Sequence, residues 1–371
     1  MGKYPQITVN HEALRSNMKQ VISWCRDEGI DVAGVIKAST GMASVALDYE
    51  YCGAKWIASS RMEQLQRAKA DGIKLPLMMI RVPMLSELSE MLEICDYSLQ
   101  SEFATLKALE EEAVKADKKH NVILMADLGD LREGFFELEE LVDVAKYVED
   151  RFDFVHLAGI GTNLGCYGSV MPTKEKMEQL VTYAEAVEDA IGRKLEIISG
   201  GATSSLMPLF DKEMPERVNM LRIGAISLVG PQEDLRTSYG RKEVDVLDEA
   251  FTLEAEVIEV KTKASHPIGK LGVDAFGQKP NYKDRGMRRR ALLAIGRADF
   301  GDIDDLVPQL AGAEVIGASG DHTILDIEDC KDVIKVGDVV QFKLKYSAIM
   351  RLTSSENVKI NEVDRLYGIK L

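Results

Sequence analysis

Val32-Ala33-Gly34-Val35-Ile36-Lys37 is an apolar run that ends on a cation. It is too short for a buried helix and rich in aliphatic side chains, so it reads as a buried strand. The strand meets a loop, Ala38-Ser39-Thr40-Gly41, at Lys37. An amine at that junction is placed to meet a ligand, and once deprotonated it can form a Schiff base. Read alone, Lys37 is equally a surface lysine that ends a strand, so the choice rests on the rest of the chain.

Working outward, further short runs rich in Val, Ile and Leu fall near 55–59, 75–81, 95–98, 120–127, 153–160, 195–199 and 218–223. Helical patterns separate them, among them Ser101–Ala116, Leu138–Val148 and Lys174–Ile191. The last carries Met177, Leu180, Val181, Ala184, Val187 and Ile191 at helical spacing. Ser101 is the expected N-cap of the first. Eight strand–helix repeats predict an α/β fold, a (β/α)8 TIM barrel, with a doubly wound open sheet as the competitor. The period changes beyond residue 240. Residues 250–262 and 338–348 alternate apolar and polar side chains, the pattern of half-buried strands. The expected organisation is a barrel over 1–240 followed by a C-terminal all-β domain over 241–371.

The composition narrows the function. A chain of 371 residues exceeds what one core normally serves. A net charge of −15 argues against nucleic acid as a partner, because phosphate contacts need a basic face. Cys25, Cys52, Cys95, Cys166 and Cys330 form no C-x-x-C pair and no zinc spacing, so no metal is expected and the setting reads as reducing and cytoplasmic. The N-terminus lacks a signal-peptide core, and no apolar stretch reaches membrane-spanning length.

In such barrels the chemistry collects where the strands end. Lys37, Arg81, Asp127–Gly134, Gly161-Thr162-Asn163, Ser199–Ser205 and Arg222-Ile223-Gly224-Ala225 all fall at those ends. Any one of them is an ordinary loop; six at one rim point to a site. Gly200 and Gly201 allow close backbone approach, Thr203 and Ser204 bring hydroxyls, and Gly224 opens a second loop. That pattern suits a phosphate. With Lys37 on the same rim, a phosphorylated aldehyde cofactor is the simplest occupant.

These residues resemble the alanine racemase family of fold type III pyridoxal-phosphate enzymes, over nearly the whole chain. Within the family the likeness is greatest to the branch that racemises ornithine. The resemblance implies that Lys37 in Val-Ile-Lys-Ala is the Schiff-base lysine. It places Arg132 of Asp-Leu-Arg-Glu-Gly near the cofactor's phenolic oxygen and Asn163 beside the ring. Ser199, Gly201, Thr203, Ser204, Gly224 and Ala225 would form the phosphate cup, and Arg222 would face the pyridine nitrogen. In the C-terminal part, Gly317–His322 resembles the segment that reaches a neighbouring subunit's site, and Tyr346-Ser347-Ala348 a further family strand, which makes Tyr346 an expected cofactor contact. Two positions depart from the family. Phe276 stands where the second base is a tyrosine, leaving His322 as candidate base, with Asp321 beside it as a further candidate catalytic residue and Tyr282 behind it. Met125 stands where a modified lysine is common. The resemblance implies a homodimer with shared sites that interconverts L- and D-ornithine. Alanine or broad specificity, or a related decarboxylase, are the alternatives, and a metal-assisted dehydratase or a non-enzymatic cofactor carrier fits less well. A basic substrate needs an acidic group, for which Asp321, Asp299 and Glu133 are candidates.

Overall fold

The computed structural model describes residues 3–229, 249–273 and 282–366, with 240, 241, 244, 246, 247, 277 and 279. The strands are β1 (Gln6–Asn10), β2 (Asp31–Val35), β3 (Trp56–Ser59), β4 (Leu77–Met79), β5 (Tyr97–Gln100), β6 (His120–Ala126), β7 (Val155–Thr162), β8 (Ile197–Ser199) and β9 (Met220–Ile223). Strands β2 to β9 close into a parallel barrel, β2 pairing with β9 through Val32↔Leu221 and Ala33↔Arg222. Each strand expected from the sequence overlaps one of these eight, and closure excludes the open sheet. The barrel interior is a packed apolar layer that includes Ala33, Val35, Met78, Leu99, Ile123, Met125, Ile197 and Met220. Met125 is fully buried there, so the floor beneath the strand ends is dry and its burial contributes about 1.5–3 kcal/mol.

Helices Phe103–Ala116, Leu138–Arg151 and Lys174–Ile191 return the chain between strands. The first is capped by Glu102, whose carboxylate accepts from Ala104 N at 3.0 Å, rather than by Ser101. Two carboxylates pin strand entries on the side away from the strand ends. Glu110 accepts from the amides of Asp153, Phe154 and Val155 at the start of β7. Glu188, 3% exposed, accepts from Lys194 Nζ at 2.6 Å, from Leu195 N at 2.9 Å and from the Arg217 guanidinium. Burial pushes the Glu188 carboxyl up, but Arg217, Lys194 and the Leu195 amide outweigh it and bring it from 4.5 down to about 2. A depressed carboxyl stabilises the fold above its unfolded pKa and ceases to do so as pH falls through its folded one. Glu188→Gln should therefore cost about 2 kcal/mol near neutrality. That gap should close between about pH 4.5 and 2, as read from denaturant unfolding of both proteins across that range.

The second unit contains β10 (Phe251–Ala264), β11 (Met287–Leu293), β12 (Leu306–Pro308), β13 (Glu314–Ala318), β14 (Thr323–Asp326), β15 (Val339–Leu344) and β16 (Lys359–Val363). They form a sheet in the order β12-β15-β10-β11-β14-β13, with β1 on β10 and β16 on β1. The compact units therefore divide at 13/14 and 227/228, whereas the sequence pattern put everything before 240 with the barrel. The reason is β1. Its alternation buries Ile7 and Val9, and its backbone is satisfied by antiparallel pairing to β10 and parallel pairing to β16. A second correction concerns Tyr346. Strand β15 stops at Leu344, and Tyr346 opens a helix, Tyr346–Leu352, instead of lying in a strand. Among the described residues no helix is long and apolar enough to cross a membrane, and no group of His, Cys, Asp and Glu could hold a metal ion.

Candidate active site

Lys37 follows β2 by two residues, at the start of a tight turn over Lys37–Ser39. Two packing choices fix that turn. Gly34 has no Cβ, and one built there would lie 2.5 Å from the Tyr49 ring. The ring fills that space, and its hydroxyl donates to Ile223 O at 3.1 Å, tying the neighbourhood of β2 to the end of β9. Ser39 Oγ donates to Ile36 O at 3.0 Å within the turn. The Lys37 amine is half-buried and, among the described residues, has no hydrogen-bond or ion-pair partner. Its pKa is lowered, first by burial, then by Arg132 and Arg222, with Cys166 and Glu133 opposing. A half-buried amine that feels two guanidiniums loses its proton at lower pH than an exposed lysine, which suits nucleophilic and proton-transfer work.

The loop after β6 presents Arg132 on a strapped frame. Asp127 Oδ1 accepts from Gly129 N at 2.9 Å and Leu131 N at 3.1 Å. Phe135 N donates to Met125 O at 2.8 Å, and Asp127 N to Phe135 O at 3.0 Å. Gly134 is required by the closure: its φ is +134°, and a Cβ there would lie 2.4 Å from Asp127 N. Arg132 is held through Nε and Nη2 by the Glu133 carboxylate, which raises its pKa, and its Nη1 lies 2.8 Å from Cys166 Sγ.

Asn163 follows β7, and its Nδ2 is buried without a hydrogen-bond partner. An unpaired buried amide is costly and marks a place where a ligand atom completes the pairing. Ser199, at the end of β8, is fully buried and accepts from Arg222 Nη1 at 2.6 Å. Arg222 Nη2 donates to Thr162 O at 3.0 Å, so the guanidinium links the ends of β7, β8 and β9. Burial pulls Arg222 down to about 10, Glu133 opposing and Arg132 adding to the fall; it stays cationic at neutral pH. Gly201 takes φ +116° with Ser205 Oγ 2.6 Å from the position of an added Cβ. Gly224 passes against Val35, 3.0 Å from an added Cβ, and Ala225 begins the helix beyond it.

The barrel thus brings Lys37, Arg132, Asn163, Ser199, Gly201, Thr203, Arg222, Gly224 and Ala225 to one rim. Ser204 is there too, but its hydroxyl proton goes to Leu164 O at 2.8 Å, so it braces the loop after β7 instead of donating to an anion. Arg81 is also spent structurally, on Glu87 Oε1 at 2.7 Å, Ser60 O and Val82 O. An unpartnered amine, two guanidiniums, an orphan amide and a glycine-opened loop together complement an anionic aldehyde, so the expected cofactor fits. The sequence placed Asp130 on the rim only as part of Asp127–Gly134 and named Cys166 only among the cysteines, with no role at the site for either; a charged residue inside a strand-end loop was the available signal for the first.

The remaining predicted residues lie in the second unit. Asp321 and His322 are exposed on the turn joining β13 and β14. His322 Nδ1 lies 3.5 Å from Ser319 Oγ, and Ser319 N donates to His322 O at 2.8 Å; Asp321 is not its partner. Of the three acidic candidates, Asp299 is buried and taken by Ser355 Oγ and Asn357 Nδ2, and Glu133 is taken by Arg132. Asp321 makes no ion pair among the described residues. Tyr282 is partly exposed and meets His266 edge-on at 6.1 Å. Phe276 lies outside the described residues.

Residues 9–232 match the model of the alanine racemase N-terminal domain. The chain is 37% identical over 356 residues to an ornithine racemase of Acetoanaerobium sticklandii, covering 96% of this chain and 99% of that one. It is 38% identical over 357 residues to a lysine racemase of Thermotoga maritima, covering 96% and 98%. Its fold is similar to that of an alanine racemase from Streptomyces lavendulae, with a TM-score of 0.75, 18% identity and coverage of 99% and 98%.

Proposed function

The chain belongs to the alanine racemase family of pyridoxal-phosphate enzymes and is an amino-acid racemase; on that premise we propose that it interconverts L- and D-ornithine. The observation that carries the reading is the half-buried Lys37 amine, without a hydrogen-bond or ion-pair partner among the described residues, on the rim that also carries Arg132 and Arg222. When bound, the cofactor supplies an electron sink that acidifies the amino acid's α-proton. Lys37 would hold its aldehyde end and move the Cα proton on one face. His322 would hold or return a proton on the other, since an imidazole can both donate and accept one. Arg132 and Asn163 would orient the ring, and Gly201, Thr203, Gly224 and Ala225 would hold the phosphate, with Ser199 and Ser204 bracing that cup. The family resemblance supports a homodimer in which the segment carrying His322 serves the second copy's site, and five cysteines without a pairing framework support a cytoplasmic setting. Tyr346, at a helix start, would be a further contact to the cofactor.

Ornithine is favoured over alanine by two full-length relatives named for basic amino acids and by an acidic group left unpaired, Asp321. Lysine is the second reading, since the lysine racemase is as similar as the ornithine racemase. Chiral chromatography after incubation with pyridoxal phosphate and L-ornithine, L-lysine, L-arginine or L-alanine decides. D-ornithine formed fastest supports the proposal; D-lysine or D-alanine formed fastest moves the substrate. No D-product from a cofactor-loaded protein would favour a decarboxylase. Asp321→Asn should narrow the ornithine-over-alanine preference by about tenfold, through KM, as expected for loss of one charge-assisted contact; an unchanged ratio would remove Asp321 from the pocket.

His322→Ala should slow proton exchange at one face by about 100-fold. Solvent deuterium incorporation, followed separately from L- and D-ornithine, reads this directly. Loss from one enantiomer only is the expected pattern, and unchanged exchange from both would mean that His322 is not a base.

A further inference from the structure

We propose that the buried carboxylate of Asp130 is a positioning residue for this reaction. It locks the loop after β6 to the loop after β7 and so sets Arg132 relative to Lys37. The inference rests on the racemase reading given above.

Asp130 is 1% exposed. Its partners are not in its own loop. Oδ1 accepts from Cys166 N at 3.3 Å and Val170 N at 3.2 Å, and Oδ2 from Tyr167 N at 3.1 Å. A carboxylate that gathers three backbone amides is fixed in place, and such bonds are stronger than neutral ones. The packing shows the same attachment independently. Gly168 approaches so closely that a Cβ on it would lie 2.5 Å from Asp130 O.

What the clamp holds is the site. Two residues beyond Asp130 the loop presents Arg132, whose Nη1 meets Cys166 Sγ at 2.8 Å. The residue that contacts the guanidinium is thus one whose own amide Asp130 fixes. Leu131, between them, is held at φ +57°, a left-handed conformation that leucine adopts only when its surroundings impose it. Arg132 and Cys166 are both among the charges that set the Lys37 amine. Met125, at the position where the family often carries a modified lysine, lies in the apolar interior and cannot brace an arginine by charge. Glu133 and the Asp130-anchored loop supply that bracing here.

The barrel contains its own control. Glu110 also gathers three amides, those of Asp153, Phe154 and Val155, but at the opposite end of β7. Asp130→Ala and Glu110→Ala should both speed amide exchange at the residues they bind. Only Asp130→Ala should lower kcat, by about 100-fold with KM changed less than threefold, the cost of a small misplacement in a site. It should also alter the visible absorbance of the bound cofactor. Asp130→Asn, which keeps the Oδ1 bonds and folds if the alanine variant does not, should fall between it and the parent protein. Equal kcat and absorbance in Asp130→Ala, with faster exchange at Cys166, Tyr167 and Val170, would make Asp130 structural only and overturn the proposal. So would unchanged exchange. A parent protein that binds cofactor but racemises nothing would refute the functional reading instead, while the exchange and absorbance arms would still decide the role of Asp130.

Discussion

Replacing Lys37 by alanine is expected to lower racemisation at least 10⁴-fold, the largest single effect in the molecule. The figure joins two losses. One is the residue that would hold the cofactor, and the other is a general base, alone typically worth about 10²–10⁴-fold. No neighbour can take over. Arg132 is tied to Glu133 and Cys166, and Arg222 to Ser199 and Thr162. Borohydride reduction of the loaded parent protein should leave the cofactor's mass on the peptide containing residue 37 and on no other; the variant should carry none. Full activity in Lys37→Ala would overturn the cofactor assignment. The electrostatics add a separate measurement. Because burial and the two guanidiniums lower the Lys37 pKa, its neutral form is present at lower pH than that of exposed lysines. Acetylation of the cofactor-free protein, followed peptide by peptide, should therefore reach half its plateau rate at lower pH for Lys37. Arg132→Gln removes the larger of the two charge effects and should move that midpoint back up. A midpoint equal to that of the surface lysines would mean that the cations do not act on the amine.

Lys37 was legible because a buried strand that ends on a charge leaves few places for that charge to go. The barrel was legible for a similar reason: strands buried on both faces are continuous apolar runs, and helices between them keep their own period. The misses share a cause, which is partnership at a distance. Strand β1 is five residues long, and what makes it part of the second sheet is Gln6↔Glu254 pairing, far along the chain. Leu344, Tyr346 and Ala348 continue the alternation of β15, yet Lys345 turns the chain into a helix, a change that period-2 reading cannot see over three residues. Ser204 has the right hydroxyl in the right loop, and its use is decided by Leu164 O across the rim. Asp130 looked like any loop carboxylate until the amides of another loop were placed around it.

Arg222→Gln is expected to have the second largest effect, and its value lies in separating charge from shape. The guanidinium spans two acceptors, Ser199 Oγ and Thr162 O, in a fully buried setting. Glutamine cannot reach both, and an acceptor left unpaired there costs about 1–3 kcal/mol. The melting temperature should fall by roughly 5 °C, and racemisation by about 100-fold. The family resemblance sets this residue opposite the pyridine nitrogen, where a cation disfavours a second proton and limits side reactions. If that is its task, Arg222→Gln should also raise the share of keto acid among the products. Arg222→Lys keeps the charge but loses the planar fork. It should therefore lose stability as the glutamine variant does while holding keto acid at the parent level. Equal keto acid from the lysine and glutamine variants would assign Arg222 to holding the ends of β7, β8 and β9 together, and the restraint on side reactions would have to come from elsewhere in the site.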